Sequence, residues 1–88
     1  MYRIVFTKKA EADIRLLYKY VPLAVPKLKK LLEELKVHPY TGTGQIESLK
    51  YHNEPTFSRR LNREHRIVYR VYDDIVEVLV ISAYGHYE

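Results

Sequence analysis

The sequence predicts an α+β fold: a βαα start followed by antiparallel strands, giving a small sheet with a two-helix hairpin packed on one face. Three observations carry this. Apolar residues recur at helical spacing between Ala10 and Leu35, they alternate singly at Tyr2, Ile4, Phe6 and again along Ile67–Val71, and prolines at 22, 26 and 39 punctuate the helical stretch. Two helices with one apolar face each need a surface to cover, and only strands of the second half can supply it.

Tyr2, Ile4 and Phe6 alternate with Arg3 and Val5, the pattern of a half-buried opening strand. Thr7 has the side-chain oxygen of an N-cap, and Ala10, Ile14, Leu17, Tyr18 and Val21 then form the stripe of a first helix, with Glu11, Arg15 and Lys19 toward water, until Pro22 stops it. Pro26 suits the first turn of a second helix, whose Leu28, Leu31, Leu32 and Leu35 oppose Lys29, Lys30, Glu33 and Glu34; His38-Pro39 ends it. Thr41-Gly42-Thr43-Gly44 is a turn segment, followed by a strand within Gln45–Tyr51 and a loop through His52-Asn53-Glu54-Pro55.

A two-residue turn at Asp73-Asp74 pairs Val71 with Val76, Tyr69 with Val78 and Ile67 with Val80 on one apolar face. The same register sets Arg70 against Glu77, Val68 against Leu79 and Arg66 against Ile81, and pairing Leu61 with Arg66 across the preceding turn adds Phe57 and Arg59 to this second face. One face is core and the other carries the chemistry. Strict alternation sends Arg60 and His86 to the helix-covered side, unless a bulge near Arg63 or the backbone freedom of Gly85 reverses the parity.

A chain of 88 residues is expected to form one domain spanning 1–88. It contains no cysteine, so disulfides and thiolate metal ligands play no part in the reading, and a reducing compartment is compatible. Met1–Phe6 lacks the apolar run of a signal peptide, and the longest apolar run, Ile75–Tyr84, is broken by Glu77, so no membrane span is expected. A net charge of +4 and a pI near 9.3 favour a polyanionic partner, nucleic acid or an acidic protein.

Arg59, Arg60, Arg63, Arg66 and Arg70, with Lys50, form the densest positive cluster. Guanidinium groups grip phosphate bidentately, which reads as a nucleic-acid groove; a solvated sheet edge that discourages strand-to-strand aggregation accounts for the same charges equally well. Arg66 shares a face with Val68 and Leu79 and so needs an anionic partner, for which Glu47 and Glu77 both qualify. His38, His52, His65 and His86 are too scattered for a metal site, and His65 is placed in the turn before Arg66. His86 and Tyr87 sit at a terminus that frays unless docked, and taken alone they need no role.

Three segments together are specific: Gly42-Thr43-Gly44-Gln45-Ile46-Glu47-Ser48-Leu49-Lys50, then Ser58-Arg59-Arg60-Leu61-Asn62-Arg63-Glu64-His65-Arg66-Ile67-Val68-Tyr69, then Gly85-His86-Tyr87. In these the chain resembles the YoeB/Txe branch of the RelE superfamily, ribosome-dependent endoribonuclease toxins of bacterial toxin–antitoxin pairs, over nearly its whole length. The resemblance implies a RelE-like sheet and gives the isolated residues roles: Glu47 as the general base on a ribose 2′-OH, Arg66 as the stabiliser of the phosphorane, and His86 as the acid that protonates the leaving 5′-oxygen. Tyr87 joins the catalytic set beside His86, with Lys50, Arg59, Arg60 and Glu64 as supporting RNA-binding residues. No metal or other cofactor is implied.

The implied partners are mRNA in the ribosomal A site and a cognate antitoxin; a homodimer is compatible, a membrane is not involved, and ribosome dependence implies the cytoplasm. Relatives of the same fold that inhibit DNA gyrase by protein binding, without RNA cleavage, supply the alternative function, and a binding module that has lost catalysis a third. The chain departs from the family pattern in carrying Glu88 after the His-Tyr pair, and Ala83 and Tyr84 where many relatives have a cysteine and a basic residue.

Overall fold

The computed structural model describes residues 1–49 and 53–85. In chain order the elements are β1 (Arg3–Phe6), α1 (Lys8–Tyr20), a 3-10 turn (Pro22–Ala24), α2 (Val25–Val37), β2 (Glu47–Leu49), β3 (Thr56–Arg60), β4 (Arg66–Tyr72) and β5 (Glu77–Ser82). The strands form one sheet in the order β1-β5-β4-β3-β2. The expected α+β architecture is present, with one refinement: β1 runs parallel to β5 while the other neighbours are antiparallel, so the sheet is mixed.

Local chemistry explains the helices. Thr7 caps α1, its Oγ1 accepting the Ala10 N–H at 3.0 Å, while the same hydroxyl donates to the Ile81 carbonyl at 2.8 Å and ties the helix start to β5. Pro26 lies in the first turn of α2, where its missing N–H costs nothing, and the His38 N–H closes the helix on the Glu34 carbonyl. Leu17, Leu28, Leu31 and Leu35 pack against Ile67, Tyr69, Val78, Val80 and Ala83, so both helices cover one side of the sheet. Tyr18, expected in the stripe of α1, is half out of it, and the buried side includes Asp13 instead.

The strand registers differ from expectation in two ways with different consequences. In the β4–β5 hairpin Tyr72 pairs with Glu77 and Val71 with Val78, so the turn holds four residues rather than two. Asp73 is drawn out of the ladder because its carboxylate accepts from the hydroxyls of both Tyr2 and Tyr40. A shift of two residues preserves the faces, and Val71, Tyr69, Val78 and Val80 remain together as expected. Further along, Tyr69 pairs with Val80 but Val68 with Ser82, a bulge that inserts Ile81 and carries Ala83 into the core.

The β3–β4 hairpin slips by one residue, and that does exchange faces. Arg60 rather than Leu61 lies opposite Arg66, and Arg59 opposite Ile67. Leu61 is wanted in the core, where it is 3% exposed, and Asn62 fits a short loop by accepting the N–H groups of Glu64 and His65 on its side-chain oxygen. Phe57 and Arg59 therefore point to the helices. Ser58 and Arg60 take the open face that the expected register had given to their neighbours.

Candidate functional site on the open sheet face

The open face is assembled from three strands. Glu47 of β2 lies opposite Ser58 of β3, which lies opposite Val68 of β4, and Arg66 stands at the start of β4 beside Arg60. From there the Arg66 guanidinium reaches Glu47 Oε1 at 3.0 Å and donates to Ser58 Oγ at 3.3 Å. Of the two carboxylates the sequence offered to Arg66, Glu47 is the one it uses; Glu77 is engaged by Arg3. The exposures are asymmetric: the Arg66 side chain is 13% exposed, that of Glu47 56%, so the cation is fixed and the carboxylate faces water.

Arg70 does not pair with Glu77 either. Its Nε donates to Thr56 Oγ1 at 3.0 Å and its Nη1 reaches Glu54 at 3.1 Å. Arg60 and Arg66 face each other across the ladder, and like charges directly opposite oppose strand pairing. Such a pair is stabilised by an anion between or above the two guanidiniums. Glu64 is exposed on the β3–β4 turn, within the same basic end of the sheet. Lys50, His86 and Tyr87 lie outside the described residues.

Arg59 is the correction. Expected among the RNA-binding residues of the open face, it is fully buried on the other side, and its guanidinium is occupied by the protein itself. Nε donates to the Tyr69 hydroxyl at 3.1 Å, Nη1 to Glu34 at 3.2 Å, and Nη2 to the carbonyls of His38 and Thr41 at 2.5 and 2.8 Å. Arg59 thus holds the chain leaving α2 that runs on to Glu47. Glu34 completes the anchorage by accepting the Thr43 N–H and hydroxyl, each at 2.8 Å, and the Thr43 N–H is the main reason its carboxyl sits below the usual range. Gly44, at φ +100°, lets this segment lie against β3: a Cβ there would stand 3.1 Å from the Arg60 carbonyl, and the Gly44 carbonyl accepts the Arg60 N–H.

Asp13 passed unremarked in the sequence, and His65, read there as a turn residue, has partners the sequence did not show. Asp13, buried in α1, accepts the Ala83 N–H at 3.0 Å and is paired with Lys9 at 2.8 Å. An acid inside an otherwise apolar stripe was the only signal available. His65 is buried, stacks on Tyr84 with ring centroids 4.4 Å apart, and accepts the Gly85 N–H on Nδ1 at 2.8 Å.

Chemically, the open face offers a water-exposed carboxylate able to take a proton, an adjacent fixed guanidinium able to stabilise phosphate charge, and further cations along the same strands. Comparison with known proteins identifies the family. Residues 6–87 match the model of the YoeB-like toxin of bacterial type II toxin–antitoxin systems. The chain is 36% identical over 63 residues to Toxin YoeB of Escherichia coli K12, covering 72% of this chain and 73% of that one. Among solved structures it is similar to a YoeB/ParE toxin from Agrobacterium tumefaciens, with a TM-score of 0.87, 32% identity and coverage of 97% and 99% of the two chains. It is similar also to the toxin chain of a heterotetrameric YoeB-YefM toxin–antitoxin complex from Staphylococcus aureus, with a TM-score of 0.80, 31% identity and 99% coverage of both. With a family model matching residues 6–87 and the fold in agreement, the chain belongs to the YoeB-like toxin family of bacterial type II toxin–antitoxin systems.

Proposed function

We propose that this toxin is an endoribonuclease that cleaves mRNA in the ribosomal A site, by attack of a ribose 2′-oxygen on its own 3′-phosphate. The observation that supports it most is the Glu47–Arg66 pair at 3.0 Å, set on the sheet face opposite the one that α1 and α2 cover. A phosphate entering against Arg66 competes with Glu47 for the guanidinium and turns the carboxylate toward the neighbouring 2′-OH. Glu47 takes the hydroxyl proton as the 2′-oxygen bonds to phosphorus; the bond to the 5′-oxygen breaks, and His86 supplies the proton that oxygen needs. The products are a 2′,3′-cyclic phosphate and a free 5′-OH.

Each part has a physical reason. In-line displacement needs a base on one side of the phosphorus, an acid on the other and preorganised positive charge at the equatorial oxygens, which Arg66 supplies with Arg60 across the ladder. Protein side chains provide all of these, so the step requires no metal. Tyr87 is assigned beside His86 in the catalytic set, and Lys50 and Glu64 to holding the RNA. Arg59 is left out of that set, because its nitrogens serve the loop before β2. The Staphylococcus aureus relative is found in complex with YefM, and a cognate antitoxin that covers the open face is the corresponding partner here.

Primer extension on a defined mRNA, with and without ribosomes, tests this reading. Cuts inside codons only when ribosomes are present, and none with His86→Gln, are the expected result. Intact mRNA with folded wild-type protein would end it, and stoichiometric loss of gyrase supercoiling in the same preparation would put a gyrase-binding toxin in its place.

A further inference from the structure

Beyond β5 the chain is not left to itself. Asp13 holds the Ala83 N–H at 3.0 Å, the Tyr84 ring stacks on that of His65 at 4.4 Å, the Gly85 N–H donates to His65 Nδ1 at 2.8 Å, and the Gly85 carbonyl accepts the Arg66 N–H at 3.1 Å. Gly85 is therefore gripped from both sides by two consecutive residues, the second of which is Arg66 of the open-face pair. The turn itself does not need the His65 ring: its N–H bonds run to the His65 carbonyl, from Leu61 and Asn62, and to the Asn62 side chain. His65 is 6% exposed, and its ring is turned toward the tail with Nδ1 as the acceptor.

We propose that His65 is a positioning residue, whose Nδ1 latches Gly85 to the start of β4 and so fixes the stem that leads directly into His86 and Tyr87. This rests on the ribonuclease reading in assigning the benefit to catalysis; the latch itself rests on the geometry alone. At φ +96°, Gly85 has a conformation that other residues rarely adopt, and its N–H and C=O are both spent on the latch. A Gly85 held at both its N–H and its C=O is far less free to fray than an unpaired terminal residue. The acid of an in-line cleavage must meet the leaving oxygen within hydrogen-bond reach, so tethering one residue away is a direct way to place it.

Two variants separate the latch from simple packing. His65→Phe keeps a ring against Tyr84 and removes the acceptor; His65→Asn gives up the ring but places a side-chain oxygen at the Nδ1 position. In His65→Phe the Gly85 amide should exchange with solvent roughly tenfold faster. Single-turnover cleavage on mRNA-programmed ribosomes should fall by about 100-fold, with ribosome affinity and the urea unfolding midpoint unchanged. His65→Asn should recover the rate to within about fivefold of wild type. Wild-type Gly85 exchange in His65→Phe, a His65→Asn no better than His65→Phe, or a rate loss matched by a loss of folded protein would each overturn the proposal. A wild-type protein that cleaves nothing would end the ribonuclease reading, while the exchange comparison would still decide whether the latch exists.

Discussion

Arg59 and Arg60 are neighbours of one residue type with opposite destinations. Arg59 is sealed among Tyr69, Glu34 and two backbone carbonyls; Arg60 shares the open face with Arg66. Losing the buried guanidinium leaves acceptors without donors, so Arg59→Leu should cost about 3 kcal/mol or more in urea unfolding, whereas Arg60→Leu should stay within about 0.5 kcal/mol. One source of acid sensitivity, beside Asp73 with its two tyrosine donors, is Glu34, whose carboxyl is lowered chiefly by the Thr43 N–H, with the Thr43 hydroxyl, Lys30 and Arg59 adding to it against desolvation. A lowered folded value means that its stabilisation is complete above the ordinary value of 4.5 and is lost as pH falls through the lower folded one. Glu34→Gln should therefore flatten the fall in unfolding midpoint below that pH. A slope unchanged from wild type would show that Glu34 is not linked to folding. That Arg66 needs a carboxylate was legible because a half-buried cation needs a partner, but the residues alone left Glu47 and Glu77 both open and only the fold brings Glu47 to it. The burial of Arg59 was not legible, because composition counts charges while the strand register decides which way each one points.

The hairpins show where element boundaries escape a sequence reading. Asp73-Asp74 looks like the centre of a two-residue turn, yet Asp73 is claimed by tyrosines distant in sequence, Tyr2 and Tyr40, and the turn widens to four residues. Tertiary partners overrode a local signal. The widened turn sets Val76 at φ +51°, where a β-branched side chain is strained. Val76→Gly should raise stability by about 1 kcal/mol, since the strain relieved exceeds the added freedom of the unfolded chain. Loss of stability on that change would mean that Val76 contributes packing the strain does not outweigh. The hydrogen bond to Asp73 is also the main cause that pushes Tyr40 up to about 12. Removing the charge in Asp73→Asn should bring that titration back toward 10.0, read from the tyrosine carbon shifts, and an unmoved Tyr40 would sever the link.

At the scale of the molecule, the division between the two faces of the sheet organises everything else. Leucines of α1 and α2 close one face against Ile67, Tyr69, Val78 and Val80, and the other keeps its charges. The helices and this division were legible, since helical stripes and the alternation of β4 and β5 survive a register shift of two. The parallel pairing of β1 with β5 and the bulge at Ile81 were not, for both are settled by how distant elements meet. The open face leads to one claim, that Glu47 is the base of an RNA cleavage centred on Arg66. Single-turnover cleavage of mRNA in programmed ribosomes by Glu47→Gln tests it most directly, because the amide keeps the shape and a hydrogen bond to Arg66 while losing the ability to take a proton. A fall of about 10²–10⁴-fold with ribosome affinity intact is predicted. A rate within about threefold of wild type would contradict the account, since general-base removal cannot be that mild.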